Sequence, residues 1–247
     1  MAARRLAWVT GAGSGIGRAL AERLGQTGWR VAVSARTQAD LDSLAVPGVI
    51  YPFVLDVTDN AAVAATVAQI TKEMGDIDLV VLGAGIYEPI MAQGFDRDAF
   101  ARTLDVNVMG TVNCLNAIMP AMIGRRDGHI AVMASVAGFV GLPGASAYGA
   151  SKAALNVMAE ALEPDLERHN VRISIINPGF VDTPLTRKND FPMPFLITTD
   201  AAVDAIMRGL ERPRFEIIFP WQMAVAMKLL ALLPHRLRLT ITRRMVR

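Results

Sequence analysis

Residues 6–17 read Leu-Ala-Trp-Val-Thr-Gly-Ala-Gly-Ser-Gly-Ile-Gly. Leu6, Ala7, Trp8 and Val9 form a short apolar strand pattern that enters the loop Thr10-Gly11-Ala12-Gly13-Ser14-Gly15-Ile16-Gly17. Ala19, Leu20 and Leu24 then begin a helical pattern that stops near Gly28. Strand, glycine loop and helix are the parts of a dinucleotide site. Glycines permit a tight turn and close approach of backbone to a pyrophosphate, and the helix N-terminus receives the negative charge. The G-x-G-x-x-G spacing fails, because Ile16 stands where its third glycine would fall. The spacing that fits is Gly11-x-x-x-Gly15-x-Gly17.

The next strand pattern, 31–34, ends in Ala35-Arg36. An acid about 20 residues past the loop would bind the ribose 2′-hydroxyl of NAD and repel a 2′-phosphate. Ala35 and Arg36 offer a gap and a cation instead, with Ser14 and Ser34 as further hydroxyls, which favours NADP(H) over NAD(H). Further apolar strands are expected at 49–55, 79–82, 128–133, 171–176 and 215–219, with helices over 59–74 and 96–123. This alternation predicts one doubly wound Rossmann-type α/β domain: a seven-stranded, mostly parallel sheet with helices on both faces. Ligands of such sheets sit beyond the strand C-terminal ends. Gly11, Arg36, Asp56, Gly83, Ser135 and Pro178 all stand there.

Residues 135–152 contain three glycines and a proline before Tyr148, from which a helical pattern runs on. Tyr148 and Lys152 lie four residues apart and so share one helix face. A tyrosine ionises near pH ~10, and a neighbouring ammonium would lower that value. Such a phenol exchanges protons with a substrate oxygen that the Ser135 hydroxyl holds. Tyr-x-x-x-Lys alone is weak, since any surface helix can carry it; its place on the same sheet edge as a phosphate loop gives it weight.

At 247 residues, 52% hydrophobic and 19% charged, the chain can bury one large core. Its formal charge of +2 carries no nucleic-acid signature. The single cysteine, Cys114, reads as a buried inert thiol, and His129, His169 and His235 are too scattered for a metal site. No signal peptide is read at the N-terminus and no apolar run reaches the ~20 residues of a membrane span. The expected location is cytoplasmic.

Together the Thr10–Gly17 loop, Asp56, Gly83-Ala84-Gly85, Asn107, Ser135, Tyr148, Lys152 and Pro178-Gly179 resemble the short-chain dehydrogenase/reductase family over about residues 5–183. The resemblance implies a catalytic tetrad of Asn107, Ser135, Tyr148 and Lys152, and hydride transfer between nicotinamide and a ketone or secondary alcohol. By that implication Tyr148 is the general acid/base and Ser135 positions the substrate oxygen. Lys152 lowers the tyrosine pKa and holds the nicotinamide ribose, and Asn107 supports a water-linked proton relay. The cofactor would lie on Gly11, Gly13, Ser14, Gly15, Ile16, Gly17, Arg36, Asp56, Val57, Gly83, Ala84, Gly85, Tyr148, Lys152, Pro178, Gly179, Val181 and Thr183, the last on the carboxamide. The family usually has Asn-Asn-Ala-Gly or Asn-Ala-Gly after the fourth strand; here Gly83 replaces the asparagine. A homodimer or homotetramer is implied, with 100–123 and 147–168 as contact faces.

Residues 1–220 are expected to form the catalytic domain. Within it, 182–200 would be a substrate lid, whose Phe191, Phe195 and Leu196 predict an apolar substrate. Residues 221–247 form an apolar and basic extension, helix or strand being open over 236–242. Either it packs on the active-site mouth or a partner subunit, or it lies in a membrane interface with arginines on anionic head groups. Two functional alternatives accompany the reductase reading: a catalytically idle NADP(H) sensor or scaffold, and a peripheral membrane reductase of a lipid-like carbonyl.

Overall fold

The computed structural model describes residues 5–212 and 214–246. Seven strands form one sheet: β1 (Leu6–Thr10), β2 (Arg30–Ala35), β3 (Ile50–Val54), β4 (Leu79–Leu82), β5 (His129–Met133), β6 (Arg172–Pro178) and β7 (Glu216–Phe219). Their order is β3-β2-β1-β4-β5-β6-β7 and every pairing is parallel. The expected sheet is therefore present, and wholly parallel. The strands are nearly continuous in apolar residues because both faces are covered. Alternation along β1 shows the sorting: Leu6 and Trp8 join one core, Ala7 and Val9 the other.

The first core is closed by α3 (Asn60–Met74), α5 (Gly110–Arg125) and α6 (Ser146–Arg168) through Ile70, Cys114, Ile118, Met122 and Leu155. The second is closed by α1 (Gly15–Gln26), α2 (Gln38–Asp42) and α7 (Thr199–Glu211) through Leu20, Leu24, Leu41, Val203 and Ile206. Burial pushes the Cys114 thiol up to about 12 and the His129 imidazole down to about 4. His129 instead shares a 2.9 Å hydrogen bond with Ser174 inside the sheet.

The helix expected over 96–123 is α4 (Arg97–Leu104) running into α5 through a π-helical stretch, Asp105–Met109. By length and composition, Arg97–Arg125 could cross a membrane, yet α5 buries its apolar side under the sheet. The tail forms α8 (Trp221–Leu232) and α9 (His235–Arg243), so the alternating 236–242 segment is helical. The chain order reverses between β1 and β4, which opens a crevice at the C-terminal edge.

Candidate active site

A cleft of about 460 Å³ follows that crevice, within the size range of ligand sites. Every residue expected to hold the cofactor lines it, as do Ser135, Tyr148 and Lys152; Asn107 does not. The glycine loop owes its shape to backbone packing. Gly11 has φ +71°, and a Cβ there would lie 2.6 Å from the Gly83 carbonyl oxygen. A Cβ on Gly17 would lie 2.5 Å from the Gly11 oxygen, and one on Gly83 2.9 Å from that of Thr10. Gly83 thus lets the β4 end seat against the loop, where the Thr10 hydroxyl accepts from the Gly83 and Ala84 amides at 3.1 and 3.4 Å. Ser14 caps α1 without spending its side chain on the cap. The α1 N-terminus, with its unpaired N–H groups, faces the cleft through Ser14, Gly15 and Ile16.

At the β2 end, exposed Arg36 lines the cleft opposite Asp56. Hydrogen bonding from the Thr58 amide holds the Asp56 carboxyl below its usual range; burial opposes this, and the Thr58 hydroxyl and the Arg36 charge assist. Ser34 is buried, its hydroxyl accepting from the Trp8 indole at 3.0 Å. Sequence reasoning missed Thr37 and Asp40 here. Asp40 arrives on α2, and its carboxylate lies 3.4 Å from where a Gly13 Cβ would be. No spacing rule pointed to it.

Deeper in, α6 carries Tyr148 and Lys152 on one face, as its period requires. Lys152 Nζ donates to the Met133 carbonyl at 2.8 Å and lies 5.5 Å from the Tyr148 ring centre. Ser135 begins the turn after β5: its hydroxyl accepts from Ala137 N–H at 3.1 Å and donates to the Pro178 carbonyl at 3.3 Å. Tyr148 stands above its ordinary pKa. Burial is the main cause, a hydrogen bond with Ser135 pulls it down, and nearby Tyr87 raises it again. This corrects the expectation of a phenol lowered by Lys152. Burial also lowers Lys152, to about 8, and its ammonium is bonded to the Met133 carbonyl.

Asn107 stands outside the residues that line the cleft. It is completely buried in the π-helical stretch. Its amide oxygen accepts from Ile86 N–H at 2.8 Å, while its nitrogen donates to the Ile86 carbonyl and to Ser151 Oγ, both at 3.0 Å. The side chain ties the post-β4 loop to α6.

Aromatic and apolar side chains gather next to Ser135 and Tyr148. Tyr87 meets the Tyr148 ring edge-on at 5.2 Å, and Phe180 meets Phe191 of the lid at 5.9 Å. Val136 and Val140 pack with Met223 and Met227 of α8. The lid is anchored at its ends, where Val181 pairs with Ile197 and Thr199 Oγ1 donates to the Asp182 carbonyl at 2.7 Å. Between them Phe195 and Leu196 are exposed, so only part of the expected apolar wall faces inward. Lys188 of the lid also lines the cleft. Its sequence context is that of an ordinary surface cation.

Comparison with known proteins adds independent evidence. A family model described as short chain dehydrogenase matches residues 5–192. An uncharacterized oxidoreductase of Myxococcus xanthus is 41% identical over 238 residues, 94% of either chain. A 3-oxoacyl-[acyl-carrier-protein] reductase, FabG, of Thermotoga maritima is 34% identical over 73% of this chain and 75% of that protein. Among solved structures, a short chain dehydrogenase of Burkholderia cenocepacia in complex with NADP superposes with a TM-score of 0.85 at 28% identity, covering 99% and 98% of the two chains. A Burkholderia phymatum short chain dehydrogenase/reductase in complex with NAD shares the fold, with a TM-score of 0.83 at 24% identity over 91% and 92%.

Proposed function

This chain belongs to the short-chain dehydrogenase family of oxidoreductases, and from that premise we propose that it is an NADP(H)-dependent reductase or dehydrogenase of an apolar ketone or secondary alcohol. One observation carries the proposal: Tyr148, Ser135 and Lys152 meet in the same cleft as the glycine loop. The residues present fit a dinucleotide. A Cβ at Gly11 or Gly17 would collide with the backbone that shapes the loop, and the α1 N-terminus supplies amides for a pyrophosphate. When bound, the nicotinamide supplies or accepts the hydride.

The chain's own groups handle the proton. Tyr148, held protonated at neutral pH by burial, donates its proton to a carbonyl oxygen that the Ser135 hydroxyl orients. The Lys152 charge, beside the ring, stabilises the phenolate that remains. In the alcohol direction the same phenolate takes the proton back. The apolar cluster of Val136, Val140 and Phe180 that follows Ser135 supports an apolar substrate. The Thermotoga relative's name, a 3-oxoacyl reductase, agrees with a ketone substrate. Arg36, an exposed cation lining the cleft, supports NADP(H), because a guanidinium there would pair with a 2′-phosphate.

The test is a panel of ketones and secondary alcohols followed by NADPH absorbance, with kcat/KM compared for NADPH and NADH. Turnover of an apolar ketone with NADPH preferred is the expected result. A clear NADH preference would assign control to Asp40 and defeat the Arg36 argument; no turnover of any carbonyl or alcohol would defeat the reductase reading.

A further inference from the structure

The C-terminal helix pair is used by the domain on one side only. On its inner side, α8 buries Met223, Ala224 and Met227, the two methionines packing with Val136 and Val140 just past Ser135. Its outer side carries Trp221, Val225, Leu229 and Leu232, which are 71%, 49%, 60% and 80% exposed. At 3.6 residues per turn these four fall within about 80° of the helix circumference, so they make one apolar stripe. Exposed apolar surface gathered in this way marks an interaction site. After Leu233-Pro234, α9 exposes Leu237 and Ile241 one turn apart, among Arg236, Arg238, Arg243 and Arg244. No Asp or Glu follows Glu216 in the sequence, Glu216 is paired with Lys228, and among the described residues Arg236, Arg238, Arg243 and Arg244 form no ion pair.

We propose that this face docks on an anionic lipid bilayer, with α8 lying in the interface and the arginines on lipid phosphates. Length excludes a span: α8 has 12 residues, about 18 Å of helix against a hydrocarbon core of about 30 Å. An apolar helix face flanked by cations suits an anionic interface. Tryptophan at the start of the stripe suits head-group depth. A second copy docked by two-fold symmetry would instead bring two sets of arginines together with no carboxylate between them. The inner side of α8 packs on Val136, the residue after Ser135, so docking brings that end of the site close to the lipid.

The test uses the full chain and needs no substrate, so it stands apart from the catalytic reading. Flotation on vesicles of phosphatidylcholine with phosphatidylglycerol is compared with phosphatidylcholine alone, at low and high salt. Binding to the anionic vesicles should be about tenfold or more tighter, and should weaken with salt. The exposed-site variant Leu229→Ser/Leu232→Ser should lose about tenfold or more of that binding while its unfolding temperature stays put. Arg243→Ala/Arg244→Ala should lose the anionic preference. Wild-type chain that fails to float at low salt, or variants that float equally well, would overturn the proposal. So would a concentration-dependent dimer abolished by Leu229→Ser/Leu232→Ser when neither protein floats.

Discussion

Substituting Lys152 by methionine keeps the length of the side chain and deletes the ammonium bonded to the Met133 carbonyl at 2.8 Å. In the folded chain burial lowers this lysine from 10.5 to about 8. Below about pH 8 both states carry the charge, and the folded state holds it at a cost. Between about 8 and 10.5 the unfolded chain binds a proton that the folded chain has released, so stability rises with pH there; above 10.5 neither state is charged. The shift corresponds to roughly 3 kcal/mol against folding below pH 8. Methionine removes that cost but strands the Met133 carbonyl, which costs about 1–3 kcal/mol. At pH 7 the variant should therefore match or exceed wild-type stability by up to about 2 kcal/mol. Urea unfolding followed by tryptophan fluorescence at several pH values reads the difference between the two proteins, in which groups common to both cancel. From pH 7 to pH 10 that difference should move toward wild type by roughly 2–3 kcal/mol, and carbonyl turnover by the variant should be down about 100-fold or more. Parallel stability curves across this range would refute the claim that Lys152 is a buried charge held for the site's use.

Other residues give sharper local tests. Gly17→Ala places a methyl 2.5 Å from the Gly11 carbonyl oxygen, so NADPH affinity measured by fluorescence titration should fall about tenfold or more, with a stability loss of about 1–3 kcal/mol. Arg36→Ala should reduce kcat/KM for NADPH by about 10- to 100-fold and leave that for NADH within a few-fold, if the guanidinium meets a 2′-phosphate. Asn107→Ala strands the Ile86 amide and carbonyl and one bond of Ser151; thermal unfolding should show a loss of about 2–4 kcal/mol, along with weaker cofactor binding through the loosened post-β4 loop.

The strands were legible because a parallel sheet covered on both sides leaves short apolar runs such as 79–82 with little ambiguity. Gly11 and Gly17 were legible because backbone packing admits no side chain there, and Gly15 because its φ of +55° favours glycine. Asp40 and Tyr87 were not: Asp40 reaches the cleft from α2 and Tyr87 reaches the Tyr148 ring from the post-β4 loop, and only tertiary folding brings them there. The π-helical stretch at Asn107 keeps a helical residue pattern on either side, so its extra residue leaves no periodic signal. Residues 236–242 alternate as a strand would. They fold as a helix in which Leu237 and Ile241 share a face, and Thr242 is buried. The ionisation state of Tyr148 was misjudged because Tyr-x-x-x-Lys encodes proximity, whereas burial sets the larger effect.

The central claim is that Tyr148 transfers the proton, and Tyr148→Phe tests it by removing one oxygen from a half-buried ring that lines the cleft. Carbonyl turnover should fall about 100- to 10,000-fold, while NADPH binding, measured by fluorescence titration on the same preparation, stays within a few-fold of wild type. Turnover within a few-fold of wild type would contradict the account.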